Sequence, residues 1–328
     1  MTLTLPKYRL PKNLFLRPKD ILVHGLGKHE MIIRVSDWPT GGGQSNVDIE
    51  AIHNEAGGSG MNVATTVSRL GGQSALVATL GAGIHGQIVW DEMIKSKVQT
   101  KYLRRVDDSD GSLLVILTRS DGDWMVMQAN DKSVNFTMSQ VPEINEMKNF
   151  KILHIDGYSY IDQNQRPIVE ESIARARQAN CLISIDTSVP ATEQHSKYVL
   201  NLFAKCDIVF LNETEARNIT NQTILQDMIT TFQDIDIPLI ALKLGSKGSI
   251  LFSGHDFGEV PPIHVPVVDT IGAGDSYAGA MLLALCQDYS LHQASLWGTA
   301  AGSLACLGHG SLSNRYTLEQ LESIIKAH

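Results

Sequence analysis

The amino-acid sequence predicts an α/β protein in which a doubly wound, mostly parallel sheet carries a small β-sheet lid. After about residue 150, short apolar runs alternate regularly with stretches of helical periodicity. Strands that are apolar on both faces and alternate with helices are typical of a parallel sheet covered on both sides. Before that point, two β-rich stretches at about 31–56 and 100–130 interrupt the alternation. We expect them to form one accessory sheet over the mouth of the larger domain.

Composition and charge narrow the classes of function. The hydrophobic fraction of 43% and the charged fraction of 19% are those of an ordinary soluble globular protein. The formal net charge of -8, without any run of Lys and Arg, argues against a nucleic-acid partner. No apolar run reaches the length of a membrane-spanning helix, so no membrane partner is expected either. The four cysteines lie in separate apolar stretches, which indicates a reducing compartment and predicts a cytoplasmic protein.

The N-terminal residues differ from the rest of the chain. Pro6, Pro11 and Pro18 interrupt residues 1–19, and no apolar core follows the basic residues there. This pattern predicts an extended surface arm rather than a signal peptide. We therefore expect the main domain at 20–328.

The first half of the chain mixes βα units with the accessory strands. The strand predicted at 21–24 is followed by Gly25-Leu26-Gly27, but the third glycine of a dinucleotide fingerprint would fall at Glu30. A dinucleotide site is therefore disfavoured. Beyond it, the pattern predicts helices at 63–70 and 86–95, a turn-rich loop at 39–45, and strands at 32–35, 47–52, 75–79, 102–106, 113–118 and 124–128. We expect the last three strands to be antiparallel members of the accessory sheet.

The second half of the chain has the more regular pattern. It predicts strands at 152–155, 182–185, 208–211 and 239–242, with helices at 167–179, 193–204 and 213–219. A hairpin-like β segment is expected next, at 249–252 and 263–268. Two helices, at 291–307 and 317–326, close the chain.

The stretch 268–283 shows the clearest chemistry. A β-branched run turns through Gly272-Ala273-Gly274 and opens into an apolar helix with Asp275 in its first turn. Glycines let backbone amides approach a ligand closely, and a helix N-terminus favours a phosphate. We expect the helix dipole to keep Asp275 ionised, as a general base must be. The alternative is that Asp275 merely caps the helix.

Two glycine motifs together resemble those of the ribokinase-like (PfkB) carbohydrate kinases. They are Gly57-Gly58-x-Gly60-x-Asn62 and Asp269-Thr270-x-Gly272-Ala273-Gly274-Asp275, and the resemblance runs from about residue 20 to the end of the chain. It implies the ribokinase-like fold and transfer of the γ-phosphate of ATP to a hydroxyl of a small carbohydrate. It also implies that Asp275 is the base and that the amides of Gly272, Ala273 and Gly274 form an anion hole.

The same resemblance implies a sugar-binding element. It consists of Gly57, Gly58 and Asn62, together with Glu30, which stands where the family usually has an Asp. A carboxylate can accept hydrogen bonds from two sugar hydroxyls. The alternatives are a plain turn before a helix and, for Glu30, a surface residue at the hinge of the lid.

Ion and nucleotide sites are implied as well. Asn212 and Glu215 match the family's N-x-x-E pattern, in which the carboxylate orders waters around Mg²⁺, although the pair could also cap a helix. Lys243, Gly245 and Gly248 resemble the nucleotide-binding turn and are not a Walker loop; the alternative is a Lys-rich hairpin turn. A K⁺ loop is implied at Asp269, Ile271, Ala305, Gly308 and Gly310.

Two other functions are compatible with the motifs. A nucleoside-type kinase, acting on adenosine or pseudouridine, would use the same scaffold because its substrate also presents a ribose-like primary alcohol. A non-catalytic sugar or nucleotide sensor is the second alternative, and the intact turn before Asp275 argues against it. The resemblance also leaves open a homodimer formed through the lid.

Overall fold

The computed structural model describes residues 5–6, 18, 20–39, 46–119, 124–235, 237–312, 314 and 316–328. Most of the arm expected at 1–19, and all but the first residue of the loop expected at 39–45, lie outside the described residues.

The described residues contain thirteen strands and ten α-helices. The strands are β1 (Asp20–His24), β2 (Lys28–Val35), β3 (Ile49–Gly57), β4 (Gln73–Gly81), β5 (Leu103–Val106), β6 (Leu113–Thr118), β7 (Trp124–Ala129), β8 (Phe150–Ile155), β9 (Leu182–Asp186), β10 (Ile208–Asn212), β11 (Leu239–Lys243), β12 (Ser249–Ser253) and β13 (Asp256–Val260). The helices are α1 (Ser59–Arg69), α2 (Ile84–Lys95), α3 (Ile144–Met147), α4 (Arg166–Gln178), α5 (Val189–Phe203), α6 (Glu213–Thr220), α7 (Leu225–Gln233), α8 (Ala273–Cys286), α9 (Leu291–Ala305) and α10 (Leu318–Ala327). No helix in this part of the chain is long and apolar enough to cross a membrane.

The large sheet has nine strands in the order β13-β12-β11-β10-β9-β8-β1-β4-β5. The strands from β11 to β5 pair in parallel, and β12 and β13 add an antiparallel edge. Successive residues of β1 show how both faces are covered, because Ile21 and Val23 pack into one hydrophobic cluster with α1, α8 and α9. Leu22, between them, packs into a second cluster with α4, α5 and α7. The doubly wound architecture predicted from the apolar runs is confirmed.

The small sheet has the order β3-β2-β6-β7. Its centre is the parallel pairing of β2 with β6, which joins the two β-rich stretches of the first half. The sequence pattern predicts that 102–106 also belongs to this sheet. The structure instead pairs β5 in parallel with β4 at the edge of the large sheet. A four-residue strand gives too short a pattern to show which sheet it will join.

The predicted strand at 263–268 does not form. The partner of β12 in the hairpin is β13, and residues 261–268 have no regular structure. Pro261, Pro262 and Pro266 explain the difference, because proline has no backbone N–H to donate to a strand ladder.

The carboxyl ends of the parallel strands gather polar residues at one edge of the large sheet. Asp186, Asn212 and Lys243 are the last residues of β9, β10 and β11, and Asp156 follows β8 directly. Helices α1 and α8 pack against each other with their N-termini toward the same region, since Ser59 near the start of α1 bonds to Asp275 near the start of α8. This is the edge at which open α/β sheets bind ligands.

Asp156 fixes the loops at this edge. Its Oδ2 accepts hydrogen bonds from the N–H groups of Leu26 (2.6 Å) and Gly60 (3.0 Å). Its Oδ1 accepts from the N–H groups of Tyr158 and Ser159 and from the Ser159 hydroxyl. The carboxylate is fully buried. It therefore ties the end of β1 and the start of α1 to the end of β8.

We predict that Asp156→Asn lowers the free energy of unfolding by about 2–4 kcal/mol. An amide has one acceptor oxygen, so its NH₂ group must face N–H donors that are now bonded to a carboxylate oxygen. Urea denaturation followed by circular dichroism measures the loss. The control is Asp162→Asn in an exposed turn, where a change within about 0.5 kcal/mol is expected. Equal losses for the two variants would contradict this role of Asp156.

Candidate active site

The N-terminus of α8 has the geometry of an anion-binding turn. Gly272 adopts a left-handed conformation (φ 74°), and a Cβ there would lie 2.8 Å from the Cα of Ser311, so only glycine fits. Among the described residues, the N–H groups of Gly274 and Asp275 have no protein acceptor, whereas that of Ala273 donates to Thr270 O at 3.2 Å. We call residues 272–275 the anion turn. Its free amides point where the helix dipole favours negative charge.

Asp275 is held by two donors from α1. Its Oδ1 accepts a hydrogen bond from the Ser59 hydroxyl, and its Oδ2 accepts one from Nδ2 of Asn62, both at 2.7 Å. Asp275 itself is half-buried. The carboxylate is therefore fixed in orientation and still open to the cleft, as a proton acceptor needs to be.

The environment of Asp275 makes it a weak acid. Burial raises the pKa of Asp275 to about 7, and the nearby charge of Asp186 adds to this. The bonds from Asn62 and Ser59 and the charge of Lys243 act in the opposite direction. The helix dipole, which from the sequence is expected to keep Asp275 ionised, is therefore a smaller effect than desolvation. Near neutral pH a large fraction of the carboxyl groups is ionised and able to accept a proton.

A buried ion pair lies beside the anion turn. Nζ of Lys243 donates to both carboxylate oxygens of Asp186, at 3.1 and 2.9 Å. The same Nζ lies only 3.2 Å from the position that a Cβ on Gly274 would take. Lys243 is expected from the sequence in the nucleotide-binding turn, and the structure brings its ammonium group to the first turn of α8.

The turn that follows Lys243 leads into the hairpin. Gly245 begins a short 3₁₀ turn and Gly248 follows it, and both have positive φ, 58° and 90°. A Cβ on Gly248 would lie 2.1 Å from the carbonyl oxygen of Val260, which explains that glycine structurally. The turn residues at 244–248 are largely exposed.

Asn212 and Glu215 form a reciprocal cap at the start of α6. The Asn212 side chain accepts from the Glu215 N–H at 3.0 Å, and Oε2 of Glu215 accepts from the Asn212 N–H at 2.8 Å. The hydroxyl of Thr187 also donates to Glu215 Oε2, at 2.6 Å. Burial raises the pKa of Glu215, as it does that of the neighbouring Asp186. The capping role weighed for this motif is therefore present in the structure.

This edge fits a Mg²⁺ ion that arrives with a nucleotide. In the part of the chain that the structure describes, no three His, Cys, Asp or Glu side chains form a ready metal cluster. Of the two neighbouring carboxylates at this edge, Asp186 is engaged by Lys243 through both oxygens, which leaves Glu215 as the group that could order the waters of the ion. Mg²⁺ commonly keeps most of its waters and takes one or two carboxylates plus substrate phosphates.

Glu30 lies on β2 of the small sheet and holds two loops of the large domain. Its Oε1 accepts from the Gly58 N–H at 2.9 Å, and its Oε2 accepts from the Ser311 hydroxyl at 2.8 Å. Only 3% of the residue is exposed. A Cβ on Gly57 would lie 2.1 Å from the carboxyl carbon of Glu30, so Gly57 is needed to admit this carboxylate. Protein donors engage both oxygens that the sequence analysis assigned to sugar hydroxyls.

Asn62 has an unused acceptor. Its Nδ2 is taken by Asp275, but its buried Oδ1 has no hydrogen-bond partner among the described residues. A buried polar atom without a partner costs stability, so such atoms are rare and each needs an explanation. One explanation is a ligand that completes the hydrogen bonding. The Oδ1 of Asn62 is therefore a candidate acceptor for a substrate hydroxyl beside Asp275.

Asp269 joins the two segments implied to form a K⁺ loop. Its carboxylate accepts from the N–H groups of Ile271 and Gly310, both at 2.9 Å. The Val268 N–H donates to the carbonyl of Cys306, which follows Ala305 at the end of α9. The structure thus brings 268–271 against the loop that contains Gly308 and Gly310.

A second carboxylate from the small sheet reaches this loop. A Cβ on Gly310 would overlap Oε1 of Glu55, and Glu55 Oε1 lies 3.5 Å from the Leu312 N–H. Burial, with the charge of Glu30, raises the pKa of Glu55 to about 8. The loop at 308–312 is therefore in contact with both the small sheet and the anion turn.

Sequence reasoning missed several residues of the cleft. They are Ser59, Asp156, the Asp186 partner of Lys243, and Tyr158, whose side chain is 39% exposed beside the carboxylates. One signal was available: Asp156 and Asp186 each come at the end of a buried parallel strand. The positions of Ser59 and Tyr158 carried no such signal.

Comparisons with known proteins agree on one family. The model of the pfkB family carbohydrate kinases matches residues 27–317. Fructokinase-2 of Solanum lycopersicum is 24% identical over 302 residues, which cover 88% of this chain and 92% of that protein. The structure of adenosine kinase from Sinorhizobium meliloti has a TM-score of 0.81 at 20% identity and covers 94% of this chain and 99% of that chain. Arabidopsis thaliana ribokinase complexed with ribose and ATP gives a TM-score of 0.75 at 21% identity, with 95% and 99% covered. The structural likenesses show the shared ribokinase-like fold.

We predict that Asp275→Asn stabilises the protein more at pH 8 than at pH 5. The pKa of Asp275 is about 7 in the folded protein against an ordinary value of 3.8, so the folded state binds the proton more tightly. Stability is therefore lost as the pH rises from about 4 to about 7, and the substitution removes that loss. The change in the free energy of unfolding that the substitution causes should differ by about 1–2 kcal/mol between the two pH values. This is below the full linkage value because solvent reaches part of the carboxylate.

Urea denaturation of both proteins at the two pH values measures this difference, and pH-independent packing effects cancel in it. An equal effect of the substitution at pH 5 and pH 8 would show that the carboxylate has an ordinary pKa.

Proposed function

The chain belongs to the pfkB family of carbohydrate kinases, and we propose that it uses Asp275 as the general base that activates a sugar hydroxyl for attack on ATP. It is an ATP-dependent carbohydrate kinase. The observation that carries the proposed mechanism is the position of Asp275, fixed by Ser59 and Asn62 and adjacent to free amides of the anion turn.

The reaction follows from this arrangement. The hydroxyl oxygen of the sugar forms a bond to the γ-phosphorus of ATP while its proton passes to Asp275. The bond between the γ-phosphorus and the bridging oxygen breaks, and ADP leaves with the electron pair. Phosphoryl transfer needs mainly positioning and charge stabilisation. The amides of the anion turn supply charge stabilisation, because they can donate hydrogen bonds to the equatorial oxygens of the transferring phosphoryl group.

The sugar would bind between the Gly57-Gly58 loop and Asp275. The unused Oδ1 of Asn62 is available to accept from a hydroxyl there. Glu30 supports this subsite by holding the Gly58 N–H, so its carboxylate shapes the pocket even while protein donors engage it. The small sheet acts as a lid that closes over the sugar and excludes water from the reacting phosphate.

The nucleotide would bind along the carboxyl edge of the large sheet, near Asn212 and the turn with Gly245 and Gly248. An E. coli structure of the same fold was solved with ATP and Mg²⁺. Mg²⁺, held through water by Glu215, would neutralise charge on the phosphates. K⁺ at the loop of Asp269, Ile271, Ala305, Gly308 and Gly310 is supported by the contacts that bring these segments together.

A homodimer through the lid also belongs to the proposal. Ile52, Met125 and Met127 lie on the face of the small sheet opposite Glu30 and are 52%, 41% and 47% exposed. Exposed apolar faces of this kind are typical of protein interfaces.

We predict that the wild-type protein phosphorylates a neutral sugar and that Asp275→Asn lowers kcat by at least about 10²-fold while ATP binding is retained. A panel of hexoses, pentoses and nucleosides with ATP and Mg²⁺, followed by ADP release and detection of the phosphorylated product, identifies the substrate. Calorimetric titration with ATP gives the binding. The control Asp162→Asn changes an exposed carboxylate in the same way and should leave kcat unchanged.

The panel separates the alternatives. Turnover of nucleosides but not sugars would support the nucleoside-kinase alternative. Near-wild-type turnover by Asp275→Asn would show that another group is the base.

A further inference from the structure

The side chain of Lys243 reaches the point where phosphate would be transferred. It leaves the end of β11, passes the ring of Phe210 with Nζ 6.0 Å from the centroid, and ends beside Gly274. A Cβ on Gly274 would lie 3.2 Å from Nζ. The second glycine of the anion turn therefore leaves space for an ammonium group next to the free amides.

The surroundings keep this ammonium charged. Burial is the largest single influence and lowers the pKa of Lys243, but the charges of Asp186, Glu215 and Asp275 together with the hydrogen bonds to Asp186 outweigh it, so the pKa is raised. The two oxygens of Asp186 take part of its hydrogen-bonding capacity. An ammonium group has three N–H donors and can rotate, so it can bond to Asp186 and to a phosphate oxygen together.

A purely structural role of the Lys243–Asp186 pair would not explain why the ammonium group lies beside Gly274. Desolvation of two charges cancels much of their attraction, so a buried pair is weak as a stabilising device. The side chain of Lys243 also remains 15% exposed, against 4% for Asp186. Its electrostatic effect extends to Asp275, whose pKa it lowers. The cation is thus the more exposed member of the pair, beside Gly274 and near enough to Asp275 for its charge to act on that carboxylate.

We propose that Lys243 is a catalytic residue that donates a hydrogen bond to a non-bridging oxygen of the γ-phosphoryl group during its transfer, and that Asp186 is the positioning residue that holds it. This inference rests on the proposed function. Lys243 stays protonated throughout, because the proton of the sugar hydroxyl goes to Asp275 and the bridging oxygen leaves with ADP. Charge that accumulates on the phosphoryl oxygens is stabilised by the fixed cation together with the amides of the anion turn.

The chain offers a matched control for removal of a buried lysine. Lys151, in β8, is also fully buried and bonded to an aspartate, Asp288, at 2.5 Å. Its ammonium group, however, lies at the C-terminal end of α8, where it also donates to Cys286 O. Replacement of either lysine by methionine removes a buried ammonium group that is bonded to an aspartate. Both variants should lose stability, but only Lys243 lies where the reacting phosphate would bind.

The test compares Lys243→Met with Lys151→Met, using the sugar identified by the panel. We expect Lys243→Met to lower kcat by at least about 10²-fold, the scale for loss of one donor to a developing oxyanion. We expect Lys151→Met to keep kcat within about threefold. Calorimetry with Mg²⁺ should show that Lys243→Met weakens ATP binding by about tenfold and ADP binding by less than about twofold, because ADP has no γ-phosphate.

A double variant separates chemistry from folding. Lys243→Met with Asp186→Asn removes both charges, so it should recover thermal stability relative to Lys243→Met alone while kcat stays low. Recovery of kcat together with stability would show that the pair is only structural. Equal weakening of ATP and ADP, or a kcat for Lys243→Met within about threefold of wild type, would also overturn the proposal. Failure of the wild-type protein to phosphorylate any member of the panel would instead overturn the proposed function.

Discussion

The burial of carboxylates at one edge of the large sheet is the constraint on which the site depends. Burial raises the pKa of Asp156, Asp186, Glu215 and Asp275. Each is stabilised by a different set of donors. They are backbone amides and a hydroxyl for Asp156, an ammonium for Asp186, a backbone amide and the Thr187 hydroxyl for Glu215, and side chains of α1 for Asp275. The bonds of Asp156 join the ends of β1 and β8 to the start of α1, those of Asp186 join β9 to β11, and those of Asp275 join the starts of α1 and α8. The fold and the chemistry thus depend on the same interactions.

The burial of Asp275 lowers the stability of the folded protein near neutral pH, and it makes the carboxylate a better proton acceptor. An ionised aspartate in water is a poor proton acceptor near neutral pH because its ordinary pKa is low. Desolvation brings the pKa of Asp275 to about 7, close to the pH at which a base is most useful. Ionisation of the buried carboxylate destabilises the folded state. Active sites commonly trade stability for activity in this way.

Much of the fold could be predicted from the sequence because long apolar runs determine it. The strands at 152–155, 182–185 and 239–242 and the helix after Gly274 have patterns that only a covered parallel sheet satisfies. The edge strand β5 was assigned to the wrong sheet because it is too short to show which sheet it joins. The segment 263–268 was wrongly predicted as a strand because its β-branched residues favour one, although its prolines disfavour it. In the site, the glycine motifs identified the anion turn. They could not show that Lys243 meets Asp186 and Gly274, because that contact depends on the spatial order of β9 and β11 in the sheet.

The most direct test of the account is the pH dependence of kcat/KM for the wild-type protein and for Ser59→Ala. If Asp275 is the base, kcat/KM should fall at low pH with an apparent pKa near 7, since the base must be ionised in the free enzyme. The Ser59 hydroxyl lowers the pKa of Asp275, so its removal should move this limb to higher pH. A kcat/KM that stays constant down to about pH 5, or a limb that Ser59→Ala does not move, would contradict the assignment of Asp275 as a base whose pKa is set by this cleft.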